Sequence, residues 1–239
     1  MYILLKDKPA LFLLHFAGGS SYSFQFLKPY LLDEFQVIPL ELPGRGSRIK
    51  EGLIRDFDEA CRDICKQANM RLKSDAFLIY GHSMGAIIGL KLASELEHEG
   101  RNPLQLIVSG NSGPKEERGS AKIHLMEKED FRQALKEMGG MPDEVLLNDE
   151  LFAYYEPILR ADFEVLEKEE PSFEPIKCPI YAVMGTGEKN FDRIGNWKHY
   201  TQSCFEYKGF HGDHFFIFEH AAEIAAIIKH CHNKRLKFF

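Results

Sequence analysis

Cysteine is scarce and unpaired in this chain of 239 residues: five, at Cys61, Cys65, Cys178, Cys204 and Cys231. An odd, scattered set argues against a disulfide framework and fits a reducing, cytoplasmic setting. Cys61 and Cys65 stand four apart and would share one face of a helix. No Cys/His pair with zinc spacing accompanies them, so they read as small buried hydrophobes, and neither a metal nor a cofactor is expected. Lys/Arg-rich runs are also lacking and the net charge is -6, which weighs against a nucleic-acid partner. No apolar stretch reaches the roughly 18 residues of a membrane span, and no hydrophobic leader with a cleavage site opens the chain. A cytoplasmic, monomeric protein without membrane attachment is the expectation. Internal repeats and low-complexity segments are absent.

What is present is ordinary globular composition, 44% hydrophobic and 28% charged, in a length that suits one α/β domain over residues 1–239. Leu11 to Phe16 is a continuous apolar run that stops at Ala17-Gly18-Gly19-Ser20, as a buried parallel strand does where it turns over a sheet edge. Gln36 to Leu40 predicts a second strand, and Ile54, Phe57, Cys61, Ile64 and Ala68 mark one face of an amphipathic helix. Ala76 to Tyr80, Leu104 to Val108, Pro179 to Met184 and Ser203 to Lys208 predict further strands, and Gly100 a helix C-terminus. The final helix carries Ile217, Ala221, Ile224, Ala225, Ile228 and Cys231 on one face. Strands alternating with helices imply a mostly parallel, doubly wound sheet flanked by helices.

The alternation lapses between about Pro114 and Pro171, where charged helical segments (Glu127 to Met138, Asp149 to Glu169) replace strands. We read this stretch as a helical insertion after the fifth strand–helix unit, placed to act as a lid. Met138, Met141, Leu146, Leu147, Phe152, Tyr154 and Tyr155 would either line a greasy cavity beneath it or pack it onto the core.

The chemistry centres on Gly81-His82-Ser83-Met84-Gly85, between a predicted strand and a predicted helix. That context makes it a nucleophile elbow, a sharp strained turn that exposes the serine hydroxyl. A hydroxyl needs a base to take its proton, and the base needs a third group to fix its tautomer. In this fold the order along the chain is serine, acid, histidine. His214, after the last strand, is the candidate base, with His211 as runner-up; His15 and His82 sit inside turn motifs that they would shape. Glu188, in the turn after Gly185, is the candidate acid, with Asp192 the alternative. The backbone N–H groups of Met84 and Ala17 would form the oxyanion hole.

With these residues placed, the sequence resembles the type II thioesterases of polyketide and nonribosomal peptide assembly lines, in the α/β-hydrolase family. The resemblance rests on His15-Phe16-Ala17-Gly18-Gly19-Ser20, Glu41-Leu42-Pro43-Gly44-Arg45-Gly46-Ser47-Arg48, Gly81-His82-Ser83-Met84-Gly85, Leu159-Arg160-Ala161-Asp162-Phe163 and Gly212-Asp213-His214-Phe215-Phe216. The Pro-Gly-Arg loop and the Leu-Arg-Ala-Asp-Phe segment are its most specific parts. The resemblance implies hydrolysis of acyl groups from the phosphopantetheine arm of acyl or peptidyl carrier proteins, clearing stalled or misprimed chains. In that setting Arg45 and Arg48 are candidates to seat the phosphate or an acidic carrier helix, unless they serve to brace their own loop. Two departures stand out: Glu188 where the family usually has aspartate, and Asp213 where it usually has glycine. A carboxylesterase or lipase on the same triad is the nearest alternative, and a noncatalytic ligand-binding module is the alternative from another class.

Overall fold

The structure, a computed structural model, describes residues 8–114, 122–139, 141–168 and 172–236. Its centre is a six-stranded, fully parallel sheet of order β2-β1-β3-β4-β5-β6. The strands are β1 (Ala10–Leu14), β2 (Gln36–Leu40), β3 (Phe77–His82), β4 (Gln105–Ser109), β5 (Ile180–Gly185) and β6 (Phe205–Phe210). Every residue of β1, β3 and β4 is buried, which is why these runs read as continuously apolar rather than alternating.

Successive side chains leave a strand on opposite faces, and the two cores follow that rule. Ala10, Phe12 and Leu14 join Phe77 and Ile79 in one cluster; Leu11 and Leu13 join Leu78 and Tyr80 in the other. The first face is covered by α2 (Phe57–Arg71) and α3 (Met84–His98), the second by α1 (Lys28–Leu31) and α7 (Ala221–Leu236). Asp56 caps α2 by accepting the Glu59 N–H at 2.9 Å, satisfying one of the orphan donors of the first turn. Eleven of the fifteen residues of α3 are buried, so this helix is wedged between sheet and neighbours instead of riding the surface. It closes at Gly100, φ +79°, where the Arg101 N–H reaches back to the Leu96 carbonyl.

Between β4 and β5 lie α4 (Lys128–Met138), α5 (Asp143–Leu147) and α6 (Asp149–Glu167). They hold a separate small core of Phe131, Leu135, Leu146, Phe152 and Leu159. This helical segment follows the fourth strand of the sheet, not a fifth strand–helix unit as the sequence reading had it. The Pro114 and Pro171 boundaries adjoin residues 115–121 and 169–171, outside the described set. Several edges also shift. The last strand runs to Phe210 rather than Lys208, and the final helix begins at Ala221, with Ile217 in a preceding 3-10 turn. A ten-residue 3-10 stretch, Phe191–Tyr200, was not anticipated; Phe191, Ile194, Trp197 and Tyr200 pack against the core at a spacing of three, the 3-10 period rather than the 3.6 of an α-helix. Among the described residues no helix is long and apolar enough to cross a membrane.

Candidate active site

In an open parallel sheet, ligands bind beyond the carboxyl ends of the strands where the strand order reverses. Here that point lies between β1 and β3. The loop after β1 carries Ala17, and the turn after β3 carries Ser83. Ser83 has φ 55° and ψ -115° and is, among the described residues, the one non-glycine at positive φ. Such a conformation costs about 1–3 kcal/mol and persists only where its surroundings enforce it. The enforcement is visible. A Cβ on Gly81 would collide with the Gly85 carbonyl, and one on Gly85 with the Leu14 carbonyl. The Ser83 N–H is held by the Ser109 carbonyl at 2.7 Å. The two glycines thus let α3 start against the strand ends, with the serine lifted at the crossing.

His214 follows β6, and its Nδ1 lies 2.7 Å from Glu188 Oε2. A carboxylate only accepts, so in the neutral ring the tautomer is the one with the proton on Nδ1 and the lone pair on Nε2. The second carboxylate oxygen, Oε1, accepts the Gly185 N–H at 2.8 Å. The Glu188 carboxylate is therefore held at both oxygens, Oε2 by His214 and Oε1 by the end of β5. The extra methylene of glutamate is taken up by that short reach back to Gly185. Asp192 is exposed and sits in the 3-10 stretch, away from this bond. His211 is exposed; its carbonyl accepts from His220 Nε2 at 2.9 Å. Asp213 Oδ1 accepts the Phe215 N–H at 3.1 Å.

Ser83 and His214 together line two cavities. One, about 260 Å³, is walled by Phe16, Leu135, Met138, Met141, Leu159 and Phe163, with Ala17 and Gly18 at its edge. The other, about 530 Å³, is more polar, with Asn111, Ser112, Glu137, Lys189 and Asn190. The apolar residues named in the helical segment divide accordingly. Met138, Met141 and Tyr155 line the first cavity, and Leu146 and Phe152 fill the segment's own core. Leu147 and Tyr154 do neither and stand exposed.

His15 and His82 are both buried. His15 Nδ1 donates to the Phe16 carbonyl at 2.8 Å and its Nε2 accepts the Leu42 N–H at 3.3 Å. Burial, reinforced by the Arg45 charge, lowers its pKa to about 4, so it is neutral in ordinary buffers. His82 holds Ser109 Oγ at 2.9 Å and its ring centroid is 5.0 Å from that of His214. Burial, and then the neighbouring His214, push its pKa well below the usual value. Two neutral imidazoles therefore shape the turns, as their place in the motifs suggested.

Of the two roles open to the arginines, the contacts favour bracing the loop. Arg45 is buried and forms a bidentate pair with Asp162, Nη1–Oδ2 2.5 Å and Nη2–Oδ1 2.8 Å. Arg48 is committed to Asp63 and Glu51, at 2.6 Å each. Neither is left to seat a phosphate; both brace the loop. Glu41, in the same loop, accepts from Ser21 N, Ser47 N and Ser47 Oγ. Burial disfavours its charge, but these donors outweigh burial and hold its pKa below the usual range. Sequence reasoning missed the Arg45–Asp162 contact, although it had picked out the two segments that supply the partners.

A parallel sheet of this order, with a strained serine at the first crossing and a carboxylate-bound histidine beside it, defines a hydrolase of the α/β-hydrolase fold. Comparison with known proteins narrows the class. The thioesterase domain model matches residues 9–234, and the chain belongs to that family. Gramicidin S biosynthesis protein GrsT of Aneurinibacillus migulanus is 31% identical over 221 residues, covering 91% of this chain and 86% of that protein. ClbQ, from the colibactin pathway, superposes with TM-score 0.88 at 25% identity over 95% of this chain and 98% of its own. The type II thioesterase BorB, from the borrelidin cluster, gives 0.85 at 28% identity over 94% and 93%. The chain is thus a thioesterase of the type II kind, which favours that reading over the esterase and binding-module alternatives.

Proposed function

We propose that this protein hydrolyses acyl thioesters carried on the phosphopantetheine arm of acyl or peptidyl carrier proteins, through an acyl-Ser83 intermediate. The observation that carries the mechanism is the 2.7 Å bond between His214 Nδ1 and Glu188, in the wall of the cavities that Ser83 shares. His214 Nε2 takes the Ser83 proton as Oγ attacks the thioester carbonyl carbon. The Ala17 and Met84 N–H groups receive the negative charge that develops on the carbonyl oxygen. Collapse breaks the C–S bond, and His214 returns its proton to the departing pantetheine thiolate. Water, deprotonated by His214, then attacks the acyl-serine and frees the carboxylic acid, and Ser83 recovers its proton.

The apolar cavity suits the acyl chain and the polar one the pantetheine arm, with its two amides. Helices α4, α5 and α6 act as a lid over both, within a single domain. Such an enzyme works in the cytoplasm as a monomer that meets its carrier transiently. The pathways of the relatives, gramicidin S, colibactin and borrelidin, support a carrier-bound substrate. The test is kcat/KM for Ser83→Ala and wild type on a panel of acyl-pantetheine thioesters and matched oxygen esters. The proposal expects no turnover by the variant and a wild-type preference for the thioesters. Equal or better turnover of the esters would overturn the substrate class.

A further inference from the structure

The hydrogen bonds around Ala17 orient its N–H before any substrate arrives. The Phe16 carbonyl accepts from His15 Nδ1 at 2.8 Å and from the Gly19 N–H at 2.9 Å. In a trans peptide the carbonyl and the N–H that follows it point in opposite directions, so these two donors fix where the Ala17 N–H aims. The next peptide plane is held by a residue 144 positions away in the chain: the Gly18 N–H donates to Asp162 Oδ2 at 2.7 Å. Asp162 is fully buried on α6 and shares that oxygen with Arg45, whose Nη1 also lies 3.5 Å from the Gly19 carbonyl. Leu159, one turn earlier on α6, presses on the same loop: its Cδ2 lies 2.6 Å from where a Gly18 Cβ would stand. Gly18 is at φ +76°, a conformation that glycine adopts without strain.

We propose that Asp162, locked by Arg45, is a positioning residue that holds the oxyanion loop from the helical segment above it, so that seating of α6 completes the oxyanion hole. The proposal deepens the functional reading and rests on Ala17 being an oxyanion donor. It links the two segments that looked most specific in the sequence, the Pro-Gly-Arg loop and Leu-Arg-Ala-Asp-Phe, through one ion pair that grips the loop at an N–H and at a carbonyl.

Two variants separate positioning from simple stabilisation. In Asp162→Asn the side-chain oxygen still accepts the Gly18 N–H, but Arg45 is left buried without a counter-charge, which destabilises a fold. In the double variant Arg45→Met, Asp162→Leu an apolar pair replaces the ions, a change often neutral or stabilising, while the Gly18 acceptor is gone. The expected order of thermal stability is therefore double variant above Asp162→Asn. The expected order of kcat is the reverse, with the double variant down roughly 100-fold, as for a lost oxyanion donor, and KM within about twofold of wild type. Stability and activity falling in the same order, or a folded double variant keeping kcat within about twofold, would overturn the proposal. Amide exchange in the wild-type protein tests it without any variant. The Gly18 N–H should exchange as slowly as those of β1, and exchange at the rate of an exposed loop would refute the clamp. Turnover by Ser83→Ala would instead sink the functional reading, leaving the Gly18 measurement to decide the clamp alone.

Discussion

Lowering the pH from 7 to 4 should weaken this fold through His15, and the size of the effect follows from its surroundings. The folded protein keeps His15 neutral down to about pH 4, because burial and the Arg45 charge oppose the imidazolium, while Asp162, the Phe16 carbonyl and Glu41 only partly offset them. In the unfolded chain the same ring takes a proton near 6.5. Between those values the unfolded state binds the extra proton, so stability rises with pH there and falls as pH drops through the window. At about 1.4 kcal/mol per pH unit, the loss attributable to His15 by pH 4 is about 3 kcal/mol. Protonation would also strip the Nε2 lone pair from the Leu42 N–H, leaving a buried donor without an acceptor. His82, shifted in the same direction, contributes to the same window, so the comparison must be with a variant. Urea unfolding of wild type and His15→Gln at pH 7, 5.5 and 4 isolates the term. The wild-type stability should fall by about 3 kcal/mol more than that of the variant. Parallel pH profiles for the two proteins would refute the reasoning.

Glu188→Gln should lower kcat by up to about 10⁴-fold, because the amide no longer selects the Nδ1-protonated tautomer of His214, whereas Asp192→Asn should leave it near wild type; steady-state assays on both decide the acid. Gly85→Ala places a methyl group against the Leu14 carbonyl and should cost more than about 3 kcal/mol, read as a lost or greatly lowered thermal transition. Leu135→Ala enlarges the apolar cavity; kcat/KM across a chain-length series should shift towards longer acyl groups, at a stability cost of about 2–5 kcal/mol. Arg48→Ala should leave KM for a carrier-bound substrate unchanged, since that side chain is spent on Asp63 and Glu51.

Much of the fold was legible because its strands are buried on both faces. Leu11 to Phe16 and Ala76 to Tyr80 could be placed as strands from their apolar runs alone, and the helical segment from the absence of such a run. The elbow was legible because its glycines answer a steric demand that no other residue meets. The 3-10 stretch at Phe191–Tyr200 was not, since its apolar residues recur every three positions, which misses the 3.6-residue period of an α-helix. Nor was the ion pair of Arg45 with Asp162, whose partners stand 117 positions apart. Local patterns carry turn geometry and amphipathicity; they do not say which buried charge meets which. His15 lies between these cases. Its place in a turn motif suggested a shaping role, but its grip on the Phe16 carbonyl depends on Leu42, delivered by a different strand.

Ser83 is the centre of the account, and trapping its acyl form tests it most directly. Wild-type protein mixed with an acyl-pantetheine thioester, quenched in acid within the first turnover and mapped by peptide mass spectrometry, should carry the acyl group on the peptide that contains Ser83. The Ser83→Ala protein should carry none. Rapid turnover with no acyl group on that peptide, or an acyl group on another side chain that disappears at the rate of turnover, would contradict it.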